Sequence, residues 1–182
     1  MRLFLAIDPS AEAIDDLARM TARLRSPGRA VRPEQWHVTL AFLGEVPESG
    51  LGAVAAAVAG ATADAQPGTL RIGGGGRFGT SVLWAGLRGD IDALRGLAES
   101  LRLSLRTAGI GLEERPYKPH LTLARPAPGT TTAQLRADVE LLARYRGPYW
   151  PFDRLYLACS HFPAEARHEK LTTWHLRDPG PT

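Results

Sequence analysis

The first apolar run of the chain is short and unbroken, Arg2–Ile7, and it closes at Asp8-Pro9; such a run reads as a buried strand. Ser10 then stands where a helix N-cap belongs. Ala13, Ile14, Leu17, Met20 and Leu24 follow at the spacing of one helix face, and Ser26-Pro27-Gly28 stops them. Trp36 to Gly44 alternates as a strand. Pro47 to about Ala63 is Ala-rich and helical, and Gln66-Pro67-Gly68 turns the chain. Thr69–Ile72 and Val82–Leu87 read as strands on either side of the four glycines Gly73–Gly76. That run lacks the lysine and helix of a phosphate-binding loop, so it reads as a bulge or flexible hairpin segment. Asp90 is placed to cap a helix to about Ala108, with Ile91, Leu94, Leu97, Leu101 and Leu105 on one stripe. Pro119–Leu123 is strand-like, and Thr130–Thr132 leads a helix to about Tyr145, broken by Gly147-Pro148. Phe152–Ser160 and Lys170–Leu176 form the two strands of a hairpin joined across Phe162–Glu169. Strands and helices interleave, which indicates a mixed α/β or α+β class. No compositional break marks a linker, so residues 1–182 read as one unit.

Composition changes this picture little. The 182 residues carry 22 Lys+Arg against 19 Asp+Glu, a net charge of +3. That mild excess is compatible with a polyanionic ligand without requiring one. Lys118 and Lys170 are the only lysines, but the abundance of arginine accompanies abundant Ala and Gly and reads first as coding bias. The single cysteine, Cys159, rules out an intrachain disulfide or a multi-cysteine zinc site. No apolar run approaches membrane-spanning length, and the N-terminal run is too short for a signal peptide. The expectation is a cytoplasmic protein.

Two segments carry chemistry. Trp36-His37-Val38-Thr39-Leu40 and Pro119-His120-Leu121-Thr122-Leu123 both read His-apolar-Thr-Leu, 83 residues apart. In a strand, residues two apart share a face. His37 with Thr39, and His120 with Thr122, therefore face one side while their apolar neighbours anchor the strand in a core. Two imidazoles titrating near neutrality can divide the work of proton acceptor and proton donor. Two hydroxyls beside them can hold phosphate oxygens whose charge develops in a transition state. The pattern requires no cofactor, and a zinc site built on the two histidines lacks a third ligand at any indicated spacing.

Paired His-x-Thr-x motifs are the signature of the 2H phosphoesterases. RLFLAID at the start, WHVTLAFLGEV, RPYKPHLTLAR, and LYLACSHF followed by KLTTWHL make the chain resemble the RNA 2′,3′-cyclic phosphodiesterase branch, the LigT-like proteins once named 2′-5′ RNA ligases. The resemblance covers nearly the whole chain. It implies an α+β, bilobal fold: two pseudo-symmetric lobes whose antiparallel sheets, flanked by helices, form a central cleft. It also implies a substrate of RNA or a nucleotide ending in a 2′,3′-cyclic phosphate, opened to a 2′-phosphate without metal, with reversible 2′-5′ ligation as the same chemistry run backwards. By the family's assignment His37 is the acid toward the leaving 3′-oxygen and His120 the base on water, with Thr39 and Thr122 holding the phosphate. A monomer without membrane association is expected. Other readings remain open at this point: a phosphodiesterase on another cyclic phosphate or on 2′-5′ oligonucleotides, or a non-catalytic module that binds RNA ends.

Arg115, Arg125 and Tyr117 flank the second motif and are candidates for substrate binding. Strand parity sets Arg125 opposite His120 unless the strand bends. The same parity sets Trp36 and Phe42 opposite His37, which reads as core packing rather than base stacking. His161, His168 and His175 have neither a helical nor a finger spacing and read as surface positions. The Ala164–Glu169 segment lacks the glycine and tyrosine often found in the family's corresponding hairpin.

Overall fold

The computed structural model describes residues 1–26, 28–112, 116–160 and 168–177. Arg2–Ile7 forms β1, with Leu3 to Ile7 buried. Helix α1 spans Ala11–Thr21, and the Ser10 hydroxyl accepts from the Ala13 N–H at 3.2 Å, as an N-cap should. The helix ends five residues before the Ser-Pro-Gly stop. The buried carboxylate of Asp138 takes the N–H groups of Arg25 and Ser26 at 3.0 and 2.8 Å, fixing the turn that leads into β2, Gly28–Ala30.

β3 is Val38–Glu45, and α2 (Leu51–Thr62) follows a short 3-10 turn. β4 (Gly68–Phe78) runs straight through the four glycines, and its pairing with β5 (Val82–Gly89) slips between Ile72 and Gly75. The bulge reading of that run therefore holds. A Cβ on Gly75 would lie 2.5 Å from the Trp84 carbonyl oxygen and 2.8 Å from Leu142 Cβ, so only glycine fits there. α3 is Ile91–Thr107, but Asp90 does not cap it; its carboxylate takes the Thr69 N–H at 2.7 Å and ties the helix start to β4. β6 is His120–Pro126, and α4 (Thr132–Arg144) opens with a capping box between Thr131 and Gln134. β7 (Arg146–Phe152), β8 (Arg154–Cys159) and β9 (Glu169–His175) follow among the described residues.

Two antiparallel sheets result. The first has the order β3-β1-β8-β9 and the second β2-β6-β5-β4-β7, with strands drawn alternately from along the chain. β2 and β7, which the sequence pattern does not announce, are both edge strands. Pro148 and Pro151 are tolerated in β7 because an edge strand need not donate every N–H to a neighbour. One apolar cluster joins residues of both sheets, among them Leu5, Val38 and Leu40 of the first and Ile72, Leu83 and Leu121 of the second. Among the described residues no helix is long and apolar enough to cross a membrane.

Candidate active site

Each sheet presents one His-x-Thr segment. His37 precedes β3 and His120 opens β6. Val38, Leu40, Leu121 and Leu123 are buried, as alternation requires, and they anchor both segments.

Beyond each threonine the alternation breaks in the same way. β1 pairs Ala6 with Thr39 but Leu5 with Ala41, so Leu40 is an extra residue in β3. β5 pairs Trp84 with Thr122 but Leu83 with Ala124, so Leu123 is an extra residue in β6. A bulge shifts every later side chain to the other face. Phe42 accordingly comes round to the face of His37 and is 55% exposed, against its expected burial. Trp36 does lie in the core, 4% exposed. By the same count Arg125, an exposed side chain, takes the parity of His120. Phe42 and Arg125 thus occupy equivalent positions, five residues after their histidines.

Both imidazoles are held by the same local device. His37 Nδ1 lies 2.8 Å from the Gln35 carbonyl oxygen, and His120 Nδ1 lies 2.6 Å from that of Lys118, each two residues upstream. A carbonyl only accepts, so Nδ1 carries the hydrogen and Nε2 is the nitrogen that the neutral ring leaves unprotonated. Burial lowers the proton affinity of both rings. It draws the pKa of His37 down to about 4, opposed by the Gln35 bond and the Asp8 carboxylate and assisted by His168 and His120. For His120 the same burial dominates, with the Lys118 bond opposing it and the Lys118 charge adding to it.

Aromatic rings pack around each histidine. Phe4 stacks on His37 with centroids 4.9 Å apart, and Phe42 continues the row 6.2 Å from Phe4. His168 contacts both Phe4 (4.8 Å) and His37 (5.1 Å) edge-on, so the three centroids form a nearly equilateral triangle. His168 is therefore a half-buried neighbour of the site and not the surface residue its spacing suggested; His175 is exposed. Around His120, Phe78 lies at 5.0 Å and Trp84 at 6.2 Å, with the Lys118 ammonium 4.2 Å above the Trp84 ring. A cavity of about 320 Å³ opens beside His37 and is lined in part by Asp8, Glu34, Tyr156, His168 and Lys170. Within it Tyr156 donates to Asp8 at 2.6 Å and Lys170 pairs with the same carboxylate.

Tyr117 packs against the main core with its hydroxyl buried, and burial pushes its pKa up. Arg115 and His161 lie outside the described residues. Among those described, no three His, Cys, Asp or Glu side chains converge in a metal-binding arrangement.

The family profile described as LigT-like phosphoesterase matches residues 7–84. An RNA 2′,3′-cyclic phosphodiesterase of Escherichia coli K12 is 37% identical over 138 residues, covering 72% of this chain and 75% of that one. One of Geobacillus stearothermophilus is 32% identical over 141 residues, 74% of this chain; the match spans only 45% of that longer relative. The crystal structure of E. coli LigT complexed with 3′-AMP superposes with a TM-score of 0.80 at 27% identity, covering 97% of this chain and 98% of that one.

Proposed function

The chain belongs to the LigT-like phosphoesterase family, and from that membership we propose that it is an RNA 2′,3′-cyclic phosphodiesterase working through His37 and His120. The observation that carries the reading is the doubled device described above: two His-x-Thr segments, each with Nδ1 committed to a backbone carbonyl, which leaves Nε2 as the nitrogen available for proton transfer.

The step balances as a proton relay. His120 Nε2 takes a proton from water as the water oxygen attacks phosphorus. The bond from phosphorus to the 3′-oxygen breaks, and His37, which enters the step as the imidazolium with a proton on Nε2 as well as on Nδ1, gives the Nε2 proton to that oxygen. A 2′-phosphate leaves, and exchange with solvent restores both rings. The hydroxyls of Thr39 and Thr122 donate to the non-bridging oxygens, where negative charge grows. Arg125 neutralises that charge from the second sheet, and Phe42, continuous with the Phe4–His37 stack, offers a ledge for the base of the terminal nucleotide. The E. coli LigT structure with 3′-AMP supports a nucleotide ligand of this kind. Action as a monomer in the cytoplasm, and 2′-5′ joining as the reverse reaction, belong to the same reading.

The test uses purified protein in excess EDTA with a nucleoside 2′,3′-cyclic phosphate and a short RNA bearing that end. Formation of a 2′-phosphate, lost in His37→Ala and in His120→Ala, is the expected result. No turnover of either substrate by the wild type would redirect the reading to another phosphodiester or to RNA-end binding alone.

A further inference from the structure

The two histidines are equivalent in backbone and tautomer, and nothing in the motif itself says which one donates the proton. The strands beside them are not equivalent. β1 pairs Ile7 with Val38, and one step further along this antiparallel register sets Asp8 opposite His37. β5 pairs Gly86 with His120, so the matching position in the second sheet carries no side chain. The second sheet instead places a cation near its histidine. Lys118 lies two residues upstream with its ammonium over Trp84 and Phe78, the rings that touch His120. Arg125 comes round to the same face by the bulge at Leu123.

We propose that Asp8 and Lys118, acting through these histidines, give the site its proton polarity: Asp8 makes His37 the donor and Lys118 makes His120 the acceptor. The proposal rests on the cyclic phosphodiesterase reading and deepens it. It makes both residues positioning residues, since neither needs to touch the substrate.

Other groups also bear on the two rings. Asp8 accepts from Tyr156 and pairs with Lys170, which fixes the carboxylate at the cavity wall beside His37. Glu34 lines the same cavity, and His168 packs against the His37 ring. Burial favours the neutral form of both histidines. It acts more strongly on His37, whose pKa it draws down to about 4 in the free protein; against it Asp8 pulls His37 toward the protonated form while His168 and His120 push the other way. At His120 the nearby charge, Lys118, only opposes protonation. Once an anionic phosphate lies between the two Nε2 atoms it attracts a proton to either, and the fixed charge behind each ring decides which one holds it.

The experiment follows the ring signals of each histidine by NMR through a pH titration. It uses the free protein and the protein saturated with a nucleoside 2′-phosphate, for wild type, Asp8→Asn, Asp8→Glu and Lys118→Gln. Asn keeps the acceptor for Tyr156 and removes the charge. Asp8→Asn is expected to lower the midpoint of His37 and leave that of His120 in place. Lys118→Gln is expected to raise the midpoint of His120 alone, and Asp8→Glu to restore most of the wild-type value at His37. With the 2′-phosphate bound, His37 should be the last to lose its proton. Turnover of the cyclic phosphate near neutral pH should fall about tenfold in Asp8→Asn for each unit lost at His37. An unmoved His37 midpoint in Asp8→Asn, or His120 holding its proton longer than His37 in the complex, overturns the polarity. Absence of turnover in the wild type would instead remove the reaction reading, and the titration of the free protein is read independently of it.

Discussion

Phe4 lies face to face with His37, ring centroids 4.9 Å apart and planes 28° apart. Phe4 is itself buried in a small cluster with Ala6, Tyr156 and Ala158, so it is a fixed backing for the imidazole. Replacing it with leucine keeps an apolar side chain but loses the flat face. We expect Phe4→Leu to cost about 1–2 kcal/mol in a urea unfolding measurement. Turnover should fall further than that loss accounts for, up to about 10²-fold, because a tilted His37 no longer meets the leaving oxygen. Wild-type turnover in the folded variant would show that the stack does not orient the ring.

The burial of His37 makes stability depend on pH. Its folded pKa, about 4, lies below the ordinary value of 6.5, so between the two values the unfolded chain binds more protons than the folded one. The neutral ring therefore contributes stability that is present above the ordinary value. That contribution is lost as pH falls through the window to the folded value, and it amounts to about 3 kcal/mol in full. Denaturation midpoints measured across this window should fall with acid, and His37→Gln should flatten that part of the slope. An identical slope in the variant would place the acid sensitivity elsewhere.

Phe42 and Arg125, each brought round by a bulge, should fail differently. Phe42→Ala removes a stacking surface and is expected to raise KM for an RNA bearing a cyclic end, by the equivalent of about 1–3 kcal/mol, with kcat nearly kept. Arg125→Ala removes a charged donor and should lower kcat/KM by about 1.5–3 kcal/mol, with Arg125→Lys restoring only part because the forked contact is gone. Steady-state kinetics on one RNA substrate separates these patterns. A Phe42→Ala variant with unchanged KM would remove the ledge from the site.

Thr39→Val and Thr122→Val keep the shape of the side chain and delete the hydroxyl. Each should lower turnover by about 1–3 kcal/mol in activation terms while leaving the unfolding midpoint close to wild type. If either variant turns over normally, that hydroxyl does not hold the phosphate in the transition state.

Two glycines make a contrast in stability alone. Gly75→Ala pushes a methyl group into the Trp84 carbonyl oxygen and Leu142, and should cost about 1–3 kcal/mol as β4 and β5 are forced apart. Gly96 lies within α3 with nothing within 4 Å of a built Cβ, so Gly96→Ala should stabilise by about 0.5–1 kcal/mol. Thermal unfolding of the two variants should move in opposite directions.

The chain's local pattern was enough to place the two His-x-Thr segments at or on strands. His37 with Thr39 and His120 with Thr122 share faces because period-two alternation is a property of the backbone, and the buried neighbours Val38, Leu40, Leu121 and Leu123 announce themselves as apolar. Ser10 and Thr131 cap their helices as their side chains dictate, since a cap acts within three residues. What depends on a partner strand was not legible. The bulges at Leu40 and Leu123 exist only in the pairing of β3 with β1 and of β6 with β5, and without them parity sends Phe42 and Arg125 to the wrong face. β7 hides behind two prolines that only an edge position excuses, and Asp90, read as a cap, is claimed by Thr69 from a different element. His168 and Asp8 lie 131 and 29 residues from His37 in the chain, and they reach it because β9 and β1 share its sheet. The sequence by itself thus determined which imidazoles and hydroxyls share a strand face, because that is a matter of side-chain identity and short-range spacing. Tertiary structure alone decided which charges and rings stand behind each group, because those are set by long-range strand register.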